Sequence, residues 1–184
     1  MTFIPQLITD LILIKPTLHK DYRGYFSETF RQDLFEKAIG YKVDFIQDNE
    51  SKSIKGVLRG LHYQLPPYDQ SKLVRVIEGR VLDVAVDIRK NSLTFGHHVA
   101  VELTEENNYQ LFIPSGFAHG YVVLSDSAIF SYKVDNYYAQ KYDRGIAFDD
   151  AKLGINWQLP LDDLLLSDKD KLHPKLLSTS DLFE

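Results

Sequence analysis

No cysteine occurs in the chain, which excludes disulfides, thiolate metal sites and a cysteine nucleophile. Long hydrophobic runs are also missing. No stretch approaches membrane-spanning length, and Met1-Thr2-Phe3-Ile4-Pro5-Gln6 lacks the basic segment and apolar run of an export signal. Positive charge is in deficit: 21 Lys and Arg against 26 Asp and Glu leave a formal net charge of −5. Phosphate neutralisation needs clustered cations in excess, so a general nucleic-acid surface is excluded, while anionic small molecules remain open through local cations. Internal repeats and low-complexity linkers are absent. These absences lead us to expect a cytoplasmic protein whose partners include neither nucleic acid nor membrane.

What is present fits one domain, residues 1–184, long enough to bury a sizeable core. Aromatic residues make up 12% of it, with 11 Tyr and 11 Phe, which favours a sheet-rich interior. An apolar run at 7–15, closed by Pro16, reads as a first strand. A turn at Arg23-Gly24 feeds a second strand reaching Phe30. Arg23 and Glu28 are five apart and would point to opposite faces of an uninterrupted strand, so a surface salt bridge is their plain reading. Leu34, Phe35, Ala38 and Ile39 recur at helical spacing, predicting a helix over 32–39 with Gly40 as C-cap. Residues 45–51 read as a strand end leading into an amide-rich loop. β-Branched runs at 73–77 and 81–88 flank Glu78-Gly79-Arg80, a hairpin pattern. Short strands follow at 96–103, 109–113, 120–124 and 128–134, a spacing typical of a sandwich or barrel. The charge run at 164–174 reads as a solvated face, in a tail expected to fold back on the sheet.

The chemistry centres on Gly56-Val57-Leu58-Arg59-Gly60-Leu61-His62-Tyr63-Gln64 with Lys72 beyond it. A lone histidine is most often a core group hydrogen-bonded to backbone, but Arg59 and Lys72 nearby shift the balance, because cores rarely recruit three ionisable side chains together. A closed metal site needs three or four ligands. Here His62 is followed by Gln64, and His97-His98 are adjacent and point to opposite strand faces, so we expect no metal. Metal-free proton transfer fits better: His62 as base at a carbon beside a ketone, with Lys72 donating to the enolate oxygen. Inversion also needs an acid on the opposite face. Tyr132 has suitable chemistry, although spacing alone does not single it out among 11 tyrosines.

Longer strings identify a resemblance. DYRGYFSETF (21–30), FIQDNESKS (45–53), GVLRGLHYQ (56–64), SKLVRVIEGRVLDVAVDIRKNSLTFG (71–96), IPSGFAHGY (113–121), YKVDNYY (132–138) and LSDKD (166–170) run in the order found in dTDP-4-dehydrorhamnose 3,5-epimerases. The resemblance implies an all-β, cupin-like jelly roll with a few short helices. It also implies no cofactor, a dTDP-4-keto-6-deoxyhexose substrate, and a homodimer whose N-terminal strand crosses to the neighbour. By the same resemblance His62 is the base, Asp170 its carboxylate, Tyr132 the acid and Lys72 the cation at the keto oxygen. Arg23, Glu28, Gln47, Asn49, Arg59, His119, Asp143 and Lys169 match substrate-binding positions, with Asp143 standing where some members have Glu. Two other readings use this scaffold: a single-carbon epimerase of another deoxysugar route, and a sugar-binding cupin without turnover. Many cupin barrels hold a metal through histidines placed as His62 and His119 are, so fold analogy and residue chemistry point in different directions.

Overall fold

A computed structural model describes all 184 residues. In chain order its elements are β1 (Thr2–Pro5), β2 (Ile12–Lys15), β3 (His19–Asp21), β4 (Gly24–Phe26), α1 (Gln32–Ile39), β5 (Gln47–Ile54), β6 (Leu58–Gln64), β7 (Lys72–Glu78), β8 (Arg80–Asp87), β9 (His98–Thr104), β10 (Gln110–Ile113), β11 (Phe117–Val123), β12 (Ser127–Val134) and β13 (Asp143–Gly145). Two antiparallel sheets result, one of six strands in the order β1-β2-β10-β7-β12-β5 and one of five in the order β13-β6-β11-β8-β9. Strands β3 and β4 form a separate hairpin.

Side-chain alternation sorts the core into three layers. Val74 and Val76 from the first sheet meet Val81, Ala85, Phe117 and Val123 from the second, forming the inter-sheet core. Residues of opposite parity on β8 and β11, among them Leu82, Val84 and Val122, face outward and are covered by the tail through Leu153, Trp157, Leu164 and Leu176. This double coverage leaves every residue of β8 after Arg80 buried. On the outer face of the six-stranded sheet, Phe35 of α1 packs on Ile12, Ile14, Leu73 and Phe112. Gly40 ends the helix in the left-handed region, at φ 86°, as the sequence predicted.

Several expected elements differ. The run at 7–15 is not one strand: the chain turns between β1 and β2, leaving Leu7 96% exposed and Asp10 paired with Arg89 at 2.7 Å. Residues 45–51 do not end in a loop, because β5 continues to Ile54 as the edge strand beside β12. Its alternation is polar throughout, and no apolar face announces it. The hairpin expected at 73–88 does not form. Strand β7 pairs with β10 and β12, while β8 pairs with β11 and β9. Gly79, at φ 82°, carries the chain from one sheet to the other, and a Cβ there would strike the Ser127 carbonyl and Ser125 hydroxyl. A short glycine link between two β-branched runs reads the same in sequence whether the runs pair or face each other. The tail does fold back, with 3-10 turns at Leu161–Asp163, Asp170–Leu172 and Leu176–Ser178. Trp157, 2% exposed, donates its indole N–H to the Phe148 carbonyl at 3.0 Å within the tail and packs in the outer-face cluster that holds the tail to the sheet. Removing such a side chain costs about 3–5 kcal/mol.

Candidate active site

The inter-sheet layer is apolar at one end and opens at the other into a cavity of about 510 Å³. The parity that buries Val74 and Val76 also turns Lys72 inward. In the same way Phe117 and Tyr121 bring His119, and Phe130 brings Tyr132. Arg59 and His62 are three apart on β6, which on a regular strand would separate them. Against β11, however, His62 pairs with His119 and Arg59 with Tyr121, so three residues of β6 span two of β11. This bulge returns both side chains to the cavity wall.

Two histidine–carboxylate pairs stand in this region. His62 Nε2 lies 2.6 Å from Asp170 Oδ1, and the pair joins strand β6 to the tail turn. Burial pushes the Asp170 carboxyl up, but the hydrogen bond and charge of His62, with the Ser167 hydroxyl, outweigh it and hold the group below the usual carboxylate range. An ionised carboxylate only accepts, so Nε2 carries a proton, and in the neutral ring the lone pair is on Nδ1. The second pair is deeper. His119 Nε2 lies 2.8 Å from Asp83 Oδ2, with Asp83 fully buried. Desolvation pulls the His119 pKa down against the opposing pull of Asp83, so this imidazole is neutral near pH 7 and donates to Asp83.

Lys72 is half-buried by surface area, yet desolvation of its ammonium brings the pKa down to about 8, with Asp143 and Asp83 pulling the other way. Tyr132 is pushed up by burial and by Tyr121, against a smaller opposing effect of Arg59, and therefore keeps its phenolic proton. Arg59 donates to Ser53 Oγ at 3.2 Å. At the rim, Lys169 pairs with Asp143, which also accepts from Tyr138 at 3.0 Å.

The cavity thus gathers His62, Tyr132, Lys72, Asp170, Arg59, His119 and Lys169, with Asp143 attached through Lys169. Four other expected residues lie elsewhere. Gln47 donates to Asn49 at 2.7 Å on the edge strand, and Asn49 lines a neighbouring cavity of about 260 Å³ that Tyr132 also borders. Arg23 lies in the exposed hairpin, paired with Asp21 at 2.6 Å, and Glu28 borders a different depression beside Met1 and Leu34. The expected solvated face at 164–174 is interrupted by Leu164 and Asp170, both buried. Sequence reasoning missed Asp83, although a charged residue sharing the parity of Val81 and Ala85 inside an apolar run was a usable signal. It also missed Ser51, whose hydroxyl lies 2.8 Å from the Tyr121 hydroxyl, and His173, whose ring stands edge-on to His62 with centroids 5.4 Å apart.

Comparisons with known proteins converge on one family. A family model described as dTDP-4-dehydrorhamnose 3,5-epimerase matches residues 5–178. The chain is 55% identical over 170 residues to the dTDP-4-dehydrorhamnose 3,5-epimerase of Shigella flexneri, covering 92% of this chain and 93% of the relative. The crystal structure of dTDP-4-dehydrorhamnose 3,5-epimerase from Elizabethkingia anophelis superposes with a TM-score of 0.94 at 46% identity, covering 97% of this chain and 98% of that one. A dTDP-6-deoxy-D-glucose-3,5-epimerase from Legionella pneumophila, solved in complex with dTDP-4-keto-L-rhamnose, gives a TM-score of 0.95 at 44% identity over 100% of this chain and 97% of that one.

Proposed function

The chain belongs to the dTDP-4-dehydrorhamnose 3,5-epimerase family, and from that membership we propose how its cavity divides the chemistry. The protein is an isomerase. It converts dTDP-4-dehydro-6-deoxy-D-glucose into dTDP-4-dehydro-L-rhamnose by inverting carbons 3 and 5, both adjacent to the 4-keto group.

In our reading, His62 Nδ1 removes the proton from the carbon beside the ketone, and the C–H bonding pair moves into the enolate. The Lys72 ammonium donates to the oxygen on which negative charge develops. Tyr132 then delivers its O–H proton to the opposite face of the carbon, solvent reprotonates the phenolate, and the imidazolium gives its proton to solvent before the second carbon is inverted. Asp170 fixes the tautomer and stabilises the imidazolium formed by each abstraction. A positioned base contributes about 10²–10⁴-fold, and a preorganised donor at the oxyanion about 10²–10³-fold. No cofactor is required, because the ammonium supplies the positive charge that a metal otherwise provides. In the same reading Arg59, His119, Lys169 and Asp143 hold the nucleotide sugar, supported by the first three lining the cavity and Asp143 pairing with Lys169.

A homodimer belongs to the same reading. The β3–β4 hairpin projects Tyr22 at 96% and Phe26 at 67% exposure, an apolar surface suited to a second copy. Crossing there would bring Arg23 and Glu28 to the neighbour's cavity, leaving residues 1–184 as one domain with an exchanged N-terminal strand. Cytoplasmic location fits a cysteine-free chain in which no helix is long and apolar enough to cross a membrane.

The observation that carries this reading is the 2.6 Å His62–Asp170 contact in the cavity shared with Lys72 and Tyr132. Incubation of dTDP-4-keto-6-deoxyglucose in deuterated water, followed by NMR, tests it. Deuterium should enter at both carbons with the wild type and at neither with His62→Ala. Exchange by the variant near the wild-type rate would remove His62 from the chemistry.

A further inference from the structure

We propose that His62, Asp170 and His173 form a binding site for a divalent transition-metal ion of the zinc class, and that an ion held there inhibits the epimerase. The inhibitory half rests on the reading of His62 as the base. Two imidazoles and a carboxylate converge here, with one potential ligand atom from each all lying within 4.8 Å of one another. That donor set suits zinc, cobalt or nickel better than magnesium or calcium.

His173 supplies an independent observation. Both of its ring nitrogens are buried, and neither has a hydrogen-bond partner. An imidazole kept in that state carries an unmet desolvation cost and marks a place where a ligand would restore the lost interaction. The ring is held in place on two sides. Its face packs on Gly145, since a Cβ built on that glycine would collide almost equally with Cε1, Nδ1 and Nε2. Contact over the face leaves the nitrogen lone pairs, which lie in the ring plane, free of the glycine. The next residue, Pro174, accepts from the Ala147 backbone N–H at 2.8 Å and anchors the segment. Charge also permits a cation. Lys169 is neutralised by Asp143, and Lys72 belongs to the facing sheet rather than to the β6–tail wall that carries this cluster.

Inhibition follows from the tautomer. In the metal-free protein Nε2 bears the proton donated to Asp170, and Nδ1 bears the basic lone pair. A metal between Nε2 and Oδ1 takes the Nε2 lone pair, so the imidazole proton must reside on Nδ1. No proton is gained or lost by the ring, one nitrogen–metal bond forms, and the lone pair that accepts the substrate proton is consumed. His62 and Asp170 must separate from 2.6 Å to admit the ion, and His173 completes its coordination.

The test uses purified wild-type enzyme and two variants, His173→Phe, which keeps a ring of similar volume, and His173→Gln. Binding is read first, without substrate, by titrating cobalt(II) chloride and following its visible absorption. One cobalt per chain is expected for the wild type, with affinity weakened at least about tenfold in both variants, as for loss of a ligand. Turnover is then measured against zinc chloride, each protein being referred to its own metal-free rate. Zinc should inhibit the wild type, EDTA should restore the rate, magnesium should have no effect, and the variants should need at least about tenfold more zinc. If the folded variants bind cobalt as tightly as the wild type, the site is overturned whatever the turnover shows. His173-dependent binding that leaves turnover undiminished overturns the inhibition, and places the fault in the assignment of His62 as base.

Discussion

His62 stands directly opposite His119 in the register between β6 and β11, and each imidazole has its own carboxylate. Burial separates their roles. The His62 side chain is 32% exposed and opens to the cavity, whereas that of His119 is 8% exposed and is held neutral by desolvation. One register pair thus sets an accessible base beside a fixed neutral imidazole whose single N–H is already given to Asp83.

The tautomer of His62 gives the first prediction. In Asp170→Asn the amide N–H₂ can donate to Nε2, which moves the ring proton to Nδ1 and removes the base lone pair without enlarging the cavity. kcat should fall about 10²–10⁴-fold while KM changes little. Steady-state kinetics check it, and a variant that keeps kcat while losing affinity would assign Asp170 to binding.

Tyr132→Phe separates abstraction from inversion. The ring and its packing on Phe130 remain, but the proton donor on the opposite face is gone. Inverted product should appear about 10²–10⁴-fold more slowly, with solvent exchange through His62 retained at a larger fraction of the wild-type rate. Equal loss of exchange and inversion would count against a role confined to reprotonation.

Lys72 predicts opposite pH trends for activity and stability. Its folded pKa is about 8 and its unfolded value 10.5, so turnover should decline as pH rises through about 8. Lys72→Arg should lose that alkaline limb along with much of its rate, because guanidinium keeps its charge but not the position of the ammonium. Between those pH values the unfolded chain binds more protons than the folded one, so this group makes stability rise with pH there. Urea midpoints of wild type and Lys72→Met, compared across that range, report the sign.

Asp87 controls an acid limb away from the cavity. Burial raises its pKa, but hydrogen bonds from Arg89, Ser92 and Thr94 outweigh that and hold it at about 2. A depressed carboxylate contributes fully above its unfolded value of 3.8 and loses that contribution as pH falls toward 2. The contribution is about 1–2 kcal/mol once solvent screening around Arg89 is allowed for. Asp87→Asn should be less stable at pH 7 and show a shallower decline in acid, measured by urea unfolding.

The hairpin predicts the assembly. Light scattering should give twice the 21.2 kDa chain mass at micromolar concentration. Phe26→Glu should shift the protein toward monomer and lower turnover together, because Arg23 would no longer reach a neighbouring cavity. A fully active monomer would contradict the exchanged strand.

Much of this was legible from period and strings. Helix 32–39 showed its stripe and its glycine stop, and the sheet-rich fold followed from short β-branched runs. His62, Lys72 and Arg59 were legible because ionisable groups interrupt an apolar pattern. Three kinds of information were not local. Strand β5 lacks an apolar face because polar cavities and a sheet edge border it, so no alternation of hydropathy marks it. Gly79 could not reveal whether its flanking strands pair or oppose, since that depends on partners β10 and β11, which come later in the chain. Asp170 in a charge run looks solvated until Trp157 and Leu164 bind the tail to the sheet, so only the family strings singled it out.

The two members of the His62–Asp170 pair are 108 residues apart in sequence, and the second belongs to the tail rather than to a sheet. During synthesis every strand of both sheets leaves the ribosome before the carboxylate does, so a nascent chain can build its barrel while its imidazole remains unoriented. The same dependence holds on heating: any condition that detaches the tail takes Asp170 from His62 together with the Trp157 and Leu164 packing on the outer face, so the tail's docking and the enzyme's competence are one event.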